Sequence, residues 1–291
     1  MSASRGNAPI RTEQELEILQ RSGDLQVCSA AAFCERVAAR GLEQAFADTH
    51  VVVAGDAGFT AQASLVLHLG PSDPPIRIER FRLGSAEGGG SHGNTDLVLP
   101  IQQGGAQALE QLLQGRRLPF SASGLATLQQ PRQELETQLS LDQIGAGRLL
   151  LHRAISENGV VAISSREGLT PTPWGPVLGP ISSALFNCAG AGSIGLTMPG
   201  LHGLGPGSPV LVAGTIGWVS GAGAGHNPLV RRSASGHALS PGASCSVEAD
   251  LHGLQPRWIR ACSHRQEGDG LLVAIAAPVP LLNLAVARQA A

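Results

Sequence analysis

The chain of 291 residues has no lysine and no tyrosine, so all 20 of its basic residues are arginines. Without lysine there can be no Schiff-base lysine and no P-loop lysine, and without tyrosine no tyrosine acid or base. Aromatic residues make up only 3% of the chain, and the formal net charge is −2. Both values argue against a nucleic-acid surface built from basic patches and stacked rings.

Long apolar runs and paired cysteines are missing as well. The segment Met1–Arg11 is polar and lacks the apolar core of a signal peptide. The longest apolar run, Leu271–Leu282, is too short to cross a bilayer. The five cysteines include no C-x-x-C pair, which makes a disulfide framework an unfavoured interpretation. We therefore expect a cytoplasmic protein that does not enter a membrane.

Glycine and apolar residues are what the sequence has in quantity. Hydrophobic residues make up 43% of the chain, which also contains 38 glycines and 19 prolines. Helical and strand-like patterns alternate, and no charged or serine-rich linker divides them. We predict an α/β protein in the mixed sense, a single glycine-rich domain with a mixed sheet. Residues 1–11 are expected to form a disordered N-terminus, and residues 12–287 to form the domain.

Local signals place the individual elements. Thr12 and Glu15 form a capping box for a first helix that Gly23 ends, and a second helix is predicted at 30–40 before Gly41. A strand over 51–54 is expected to break at Gly55–Gly58, and Gly84–Gly93 is expected to be a loop. A third helix is predicted at 106–114, and further strands at 64–69, 76–81, 134–141, 149–155, 160–164, 210–219, 245–251 and 271–277.

One charge pattern suggests a binding site for an anion. No aspartate or glutamate occurs between Glu167 and Glu248, although this span contains two arginines and three histidines: Arg231, Arg232, His202, His226 and His237. Backbone amides of the many glycines could line an anion site there, with the arginines as counter-charges. The alternative is a buried scaffold rich in glycine and proline that has little room for charge.

Several motif matches fail when their context is considered. Gly190-x-Gly192-x-x-Gly195 has the letters of a dinucleotide fingerprint, but Met198-Pro-Gly200 would break the helix that it needs. Gly89-x-Ser91-x-Gly93 has the letters of a nucleophile elbow, but it lies within a glycine-rich stretch rather than between a strand and a helix. No set of cysteines and histidines has the spacing of a zinc or iron–sulfur site. We therefore predict no metal and no cofactor.

A series of short motifs resembles the homocysteine-biosynthesis (sulfur-incorporation) family. The resemblance covers roughly residues 10–285, with a shortened region around 82–101. Its pieces occur in the family's order: Gly55-Asp-Ala-Gly-Phe-Thr-Ala-Gln-Ala-Ser64, Gly70-Pro-Ser-Asp-Pro-Pro-Ile76, Gly104-Gly-Ala106, Pro131-Arg132, Glu134-Leu-Glu-Thr137, Gly214-Thr-Ile-Gly217, His226-Asn-Pro228 and Ala277-Pro-Val-Pro-Leu-Leu-Asn283.

This resemblance implies a function and partners. The family puts sulfide sulfur into aspartate semialdehyde to give homocysteine, and works with a ferredoxin-like electron donor. Its chemistry is thought to use two cysteines, for which a persulfide is a sensible sulfur carrier. These cysteines correspond to Ala61 and Gln129 in this sequence, so a sulfur-transfer enzyme would need a relocated thiol here, for which Cys188 is the candidate.

The residues expected to form the site follow from the shared motifs. His226 would transfer protons, and the Cys188 thiol would carry sulfur. A small anionic metabolite would be bound by Gly55, Asp56, Asp73, Arg132 and Asn227. The segments Asp73–Pro75 and His226–Pro228 are expected to border one cavity. Two alternatives to an enzyme stay open: a non-catalytic protein that binds a small carboxylate metabolite, and an assembly subunit.

Overall fold

The computed structural model describes residues 10–90, 96–157, 159–163, 169–170, 177–178, 183–187, 192–234, 236–264 and 268–291. For Asp56, for His264 and for the described positions between 159 and 187, only the backbone is described. Residues 1–9 of the expected disordered N-terminus lie outside these ranges. Arg11 already belongs to the fold, because its guanidinium donates to the Thr49 carbonyl at 2.6 Å and lies over the Phe46 ring at 4.0 Å.

The helices confirm the capping signals of the sequence. They are α1 (Glu13–Ser22), α2 (Ala30–Arg40), α3 (Leu42–Ala47), α4 (Gly105–Leu113), α5 (Ile194–Thr197) and α6 (Leu284–Ala290). Thr12 and Glu15 form the predicted capping box at the start of α1, and Gly23 ends this helix in the left-handed conformation. None of the helices in the described ranges is long and apolar enough to cross a membrane.

The strands account for more residues than the helices do. They are β1 (Val27–Ser29), β2 (Val51–Thr60), β3 (Ala63–His68), β4 (Ile78–Leu83), β5 (Ala86–Gly90), β6 (Leu97–Pro100), β7 (Leu118–Gly124), β8 (Glu134–Leu139), β9 (Ala146–Ser156), β10 (Gly159–Ile163), β11 (Leu169–Thr170), β12 (Val177–Leu178), β13 (Ser183–Asn187), β14 (Pro209–Val212), β15 (Thr215–Ala222), β16 (Ser244–Asp250), β17 (Ile259–His264) and β18 (Gly268–Pro280).

One large sheet contains nearly all of these strands. Its order is β13-β10-β2-β18-β14-β15-β16-β9-β3-β6-β5-β4-β7-β8, with β1 beside β2 and β17 beside β18, while β11 and β12 pair separately. The β1–β2 pair is parallel and the neighbours of β2 on its other sides are antiparallel, so the sheet is mixed. The predicted class, a mixed α/β fold in a single domain, is confirmed.

Half of the sheet curls back on itself. The strands β2, β18, β14, β15, β16 and β9 follow one another, and β9 then lies against β2. The alternate side chains that point inward form a buried core that includes Val52, Val212, Val247, Leu151 and Ile275. The helix α4, whose Leu109 and Leu112 are fully buried, packs against β17 and β18 of this half and against β5 and β7 of the other half. Apolar side chains therefore fill the inside, and the outer strand faces remain open for function.

Two predictions for glycine-rich segments were wrong. Gly55–Gly58 does not end a strand, because β2 continues through it and pairs with β18 from Thr60 to Val51. Gly58 lies close to β9, because a Cβ there would make an ordinary van der Waals contact, at 3.5 Å, with the Ala154 carbonyl oxygen. The segment predicted as the loop Gly84–Gly93 contains β5, which forms a hairpin with β4.

The predicted strand 210–219 is a hairpin rather than one strand. The turn between β14 and β15 has Ala213 and Gly214 at positive φ, 47° and 86°. Two consecutive residues with positive φ match the twist of the flanking strands. The last predicted strand, 271–277, extends to Pro280. The exposed prolines Pro278 and Pro280 still pair with β2.

Candidate functional site

The turn between β2 and β3 is where the glycine-rich motif meets the rest of the fold. The Gln62 amide donates to Thr60 Oγ1 at 3.2 Å, which fixes the backbone of this turn. Its other residue, Ala61, is buried in a small cluster with Phe59 and Cys262 that is separate from the main core. Phe59 fills the space above Gly270, where a Cβ would lie only 2.7 Å from its ring. A thiol therefore belongs to the same cluster as Ala61.

His152 on β9 connects this turn to the loop after β15. Its amide donates to the Gln62 carbonyl at 2.9 Å, and its carbonyl accepts from the Ala224 amide at 2.7 Å. Its ring atom Nε2 lies 3.2 Å from Ser64 Oγ. The sequence analysis missed both His152 and Ser64, because a single histidine in an alternating strand pattern carries no motif.

The loop that carries His226 and Asn227 follows β15 and lies beside β9, where the Ala224 amide donates to the His152 carbonyl. The Ser244 amide donates to His226 Nδ1 at 3.0 Å, which holds the ring and leaves Nε2 at the exposed edge. The Asn227 amide donates to the Gly242 carbonyl at 3.1 Å, and Asn227 Oδ1 accepts from the Leu229 amide. This side-chain bond is a local Asx turn, so the Asn227 amide group works at least in part to shape the loop.

The acid-free span does contain an anion site, and an internal carboxylate occupies it. Glu157, whose side chain is 1% exposed, forms a bidentate pair with Arg232. It also accepts from the amides of Gly200 at 2.7 Å and Ala243 at 3.1 Å. Burial by itself would raise the pKa of Glu157, but the hydrogen bonds from Arg232, Gly200 and Ala243 lower this pKa below 4.5. The predicted combination of arginine and backbone amides is thus present, and Glu157 is its ligand.

Gly55 and Asp56 lie in the middle of β2. The Gly55 amide donates to the Gly192 carbonyl at 3.0 Å, and Gly55 is exposed. Asp56 pairs with Ile275 of β18 through the backbone register. The side chain of Asp56 lies outside what the structure describes.

Asp73 and Arg132 are grouped elsewhere. The Arg132 amide donates to the Pro75 carbonyl at 3.3 Å, and its Nε donates to the Glu134 carbonyl at 2.8 Å rather than to a carboxylate. Gln129 is exposed in the same region. His68 at the near end of β3 pairs with Ala146, whereas the His226 loop lies by Ser156. These points are about 30 Å apart along β9, at about 3.3 Å per residue, so the two segments do not border one cavity.

Four of the five cysteines are described, and none of these four is in a disulfide. Cys188 lies outside the described residues. Burial raises the pKa of Cys245 to about 11, so this thiol stays protonated near neutral pH and is a poor nucleophile. Cys34 donates to the Ala291 carbonyl at 3.4 Å, and Cys28 is half-buried on β1. Cys262 is the thiol in the cluster with Ala61.

No group of three or more potential metal-ligating side chains is found in the parts of the chain that the structure describes. The side chains around the β2–β3 turn are instead those of nucleophilic and proton-transfer chemistry. A buried thiol shares a cluster with Ala61 of this turn, and an imidazole lies within hydrogen-bond distance of the Ser64 hydroxyl group on β3. Such groups can deprotonate a sulfur nucleophile and assist its addition to a carbonyl group.

Two curated relatives are similar to this chain over most of its length. A curated relative from Methanocaldococcus jannaschii, named L-aspartate semialdehyde sulfurtransferase, is 26% identical over 298 residues, covering 97% of this chain and 56% of its own length. A relative of the same name from Methanosarcina acetivorans is 28% identical over 278 residues, covering 92% and 54%. The chain thus spans about half the length of these relatives. No solved structure is significantly similar to it.

The family assignment rests on more than these two relatives. The model of the family described as "Homocysteine biosynthesis enzyme, sulfur-incorporation" matches residues 25–291, which is most of the chain. This range includes the β2–β3 turn, β9 and the His226 loop. The chain therefore belongs to the sulfur-incorporation family of homocysteine biosynthesis enzymes.

Proposed function

We propose that this protein incorporates sulfide sulfur into aspartate semialdehyde to give homocysteine, with a relocated thiol as its sulfur carrier. The family match and the printed names of the two relatives support the reaction class. The observation that carries the proposal is the packing of Cys262 in one cluster with Ala61. Ala61 is where the family resemblance places a cysteine, and β17 supplies a thiol to the same cluster of buried residues.

The overall reaction needs electrons as well as sulfur. From hydrogen sulfide, an aldehyde needs two electrons and two protons to give a thiol and water, because the aldehyde carbon is reduced. From a persulfide, whose outer sulfur atom must also be reduced, four electrons and four protons are needed. We propose that a ferredoxin-like electron donor supplies these electrons. The substrate is a small anionic metabolite, for which the loop of His226 and Asn227 offers polar contacts beside His152.

Sulfur loading can be written as a separate step. The Cys262 thiolate attacks a terminal sulfur atom of a polysulfide, an S–S bond forms on the protein, and the S–S bond within the polysulfide breaks. The leaving group is a polysulfide shorter by one sulfur atom, so no additional oxidant is required. The resulting persulfide is a stronger nucleophile than a buried thiol for addition to a carbonyl group.

Mass spectrometry after treatment with inorganic polysulfide tests this proposal. We expect a mass gain of one sulfur atom, reversible with a thiol reductant, in the wild-type protein and in Cys245→Ser and Cys34→Ser. Cys262→Ser should lose it. If loading persists in Cys262→Ser and disappears in Cys188→Ser, the carrier is the thiol that the sequence predicts. If no cysteine is loaded, sulfur transfer through a thiol of this chain is refuted.

The residues at the two family positions favour a second candidate function. An alanine methyl group and an exposed glutamine amide at Ala61 and Gln129 cannot carry sulfur. A protein that has lost this chemistry would bind a small carboxylate metabolite, or serve as an assembly subunit of a larger complex. An increase of the melting temperature with aspartate or homoserine, in a protein that cannot be loaded with sulfur, would support binding without catalysis.

A further inference from the structure

We infer that His152 transfers the proton when sulfur adds to the aldehyde, and that Ser64 holds its ring in position; this inference rests on the proposed function. His152 is not part of any motif that led to the family. It is the residue whose backbone joins the β2–β3 turn to the loop of His226. Its hydrogen bonds to Gln62 and Ala224 place it between the two segments that carry the chemistry.

The ring of His152 is positioned but still accessible. His152 is exposed on the outer face of β9, and Ser64 lies on the same face of β3, because it is two residues beyond the position opposite His152. Ser64 Oγ is 3.2 Å from Nε2, which restrains the ring. Among the described residues, Nδ1 has no hydrogen-bond partner. One ring nitrogen is thus held by the protein, and the other is available to a substrate.

On the side of β9 away from β3, the strand pairing is irregular at the position of His152. Leu151 pairs with Val247 and Ile155 pairs with Cys245, so three residues of β9 stand opposite a single residue of β16. A second register shift occurs between β15 and β16, from Val219 to Gly221. Bulges locally redirect side chains and are common next to active sites. Here the first includes His152, and the second lies on the far side of β16.

The proposed step balances in atoms and charge. The sulfur nucleophile forms a C–S bond with the aldehyde carbon, and the electron pair of the C=O π bond moves to the oxygen. The protonated imidazole of His152 gives its proton to this oxygen, which yields a neutral thiohemiacetal and a neutral imidazole. A proton from water restores the imidazolium. Histidine suits this role because it changes charge close to neutral pH.

His226 has a different environment from that of His152. Its Nδ1 accepts from the Ser244 amide, and the Ser244 hydroxyl donates to the Ala224 carbonyl, so the ring is part of the hydrogen-bonded base of its own loop. A substitution of His226 should therefore disturb the loop as well as any proton transfer. Ser64→Ala, in contrast, removes only the group that orients His152.

The test follows homocysteine formation from aspartate semialdehyde, with inorganic polysulfide as the sulfur source and a titanium(III) salt as the electron donor. We expect His152→Gln to lower kcat by about 100-fold or more, in line with the loss of a general acid. The limb of the pH–rate profile that falls as pH rises through the near-neutral range should also disappear. Ser64→Ala should keep this limb and lose less activity. His68→Gln, a histidine at the other end of β3, is the control with wild-type rates.

A second measurement does not depend on turnover. In the NMR spectrum, the ring resonances of His152, assigned by their loss in His152→Gln, should shift when L-2-aminobutyrate is added as an unreactive analogue. A wild-type rate and pH profile in His152→Gln, or the absence of this shift, would overturn the role of His152. Sulfur loading of Cys262 by polysulfide needs no proton on the aldehyde, so it reports on the proposed function separately.

Discussion

The two ends of β9 carry the same kinds of residues in opposite environments. At the Ser156 end, the carboxylate of Glu157 is buried and is bound by Arg232 and by two backbone amides. At the Ala146 end, Asp73 is exposed, and the guanidinium of Arg132 is held by a backbone carbonyl. Both ends contain motifs shared with the family. Only the first end binds its charged groups tightly.

This difference shows which end of β9 is more closely packed. Glycines crowd around Glu157: a Cβ on Gly195 would lie 2.1 Å from the Glu157 carbonyl oxygen, and one on Gly242 would lie 2.5 Å from Oε2. Such close approach fixes the loop that carries His226, because this loop runs from Gly223 to Ala243 and Arg232 is within it. The ordered Ser156 end is therefore the end at which we place the chemistry.

The largest expected effect comes from removing the partner of the buried carboxylate. Arg232→Met leaves Glu157 buried and uncompensated, which should lower the free energy of unfolding by about 3 kcal/mol. Urea unfolding monitored by circular dichroism measures it. The matched control is Arg148→Met, because the Arg148–Glu248 pair is exposed and 3.9 Å long; its loss should cost less than about 1 kcal/mol. Equal costs would remove the distinction between the two environments.

A single methyl group at the crowded end should have the next largest effect. Gly195→Ala forces a Cβ against the Glu157 backbone and should cost about 1–3 kcal/mol, as overpacking commonly does. Gly205→Ala is the control, because a Cβ there meets no atom within 4 Å. Thermal unfolding of both variants measures the difference. A variant Gly195→Ala as stable as Gly205→Ala would show that the backbone around Glu157 can relax.

The pH dependence of stability separates charge from packing at Glu157. Its folded-state pKa is lowered below 4.5, so its ionised form stabilises the fold fully above the unfolded-state pKa. This contribution is lost as the pH falls through the folded-state pKa. The free energy of unfolding of Glu157→Gln should therefore decrease less between pH 5 and about pH 3 than that of the wild type. Identical pH slopes in urea titrations of the two proteins would contradict this assignment.

The smallest effect is expected at the open end of β9. Asp73→Ala removes an exposed carboxylate that has no ion-pair partner among the described residues, so the free energy of unfolding should change by less than about 0.5 kcal/mol. The same urea experiment measures it. A loss comparable to that of Arg232→Met would mean that this end is as tightly built as the other.

Local chemistry made several elements predictable. The capping box of Thr12 and Glu15 and the stops at Gly23 and Gly41 act within a few residues, and α1 and α2 begin and end where they require. The alternation of β4 and β16 likewise depends only on which side chains face the core. Glycine-rich β2 was not predictable, because its strand conformation depends on ten pairings with β18, more than 200 residues later in the chain.

The candidate site was likewise predictable only in part. The sequence itself determined the chemical inventory: no lysine, no tyrosine, five cysteines, an acid-free span with arginines, and motifs shared with one family. Only the tertiary structure decided which of these groups meet. Strand pairing placed Cys262 in one cluster with Ala61 and brought His152 to Ser64, and folding brought Glu157 to Arg232, 75 residues away. The physical reason is that each contact is fixed by register and packing between distant segments, which no local pattern encodes.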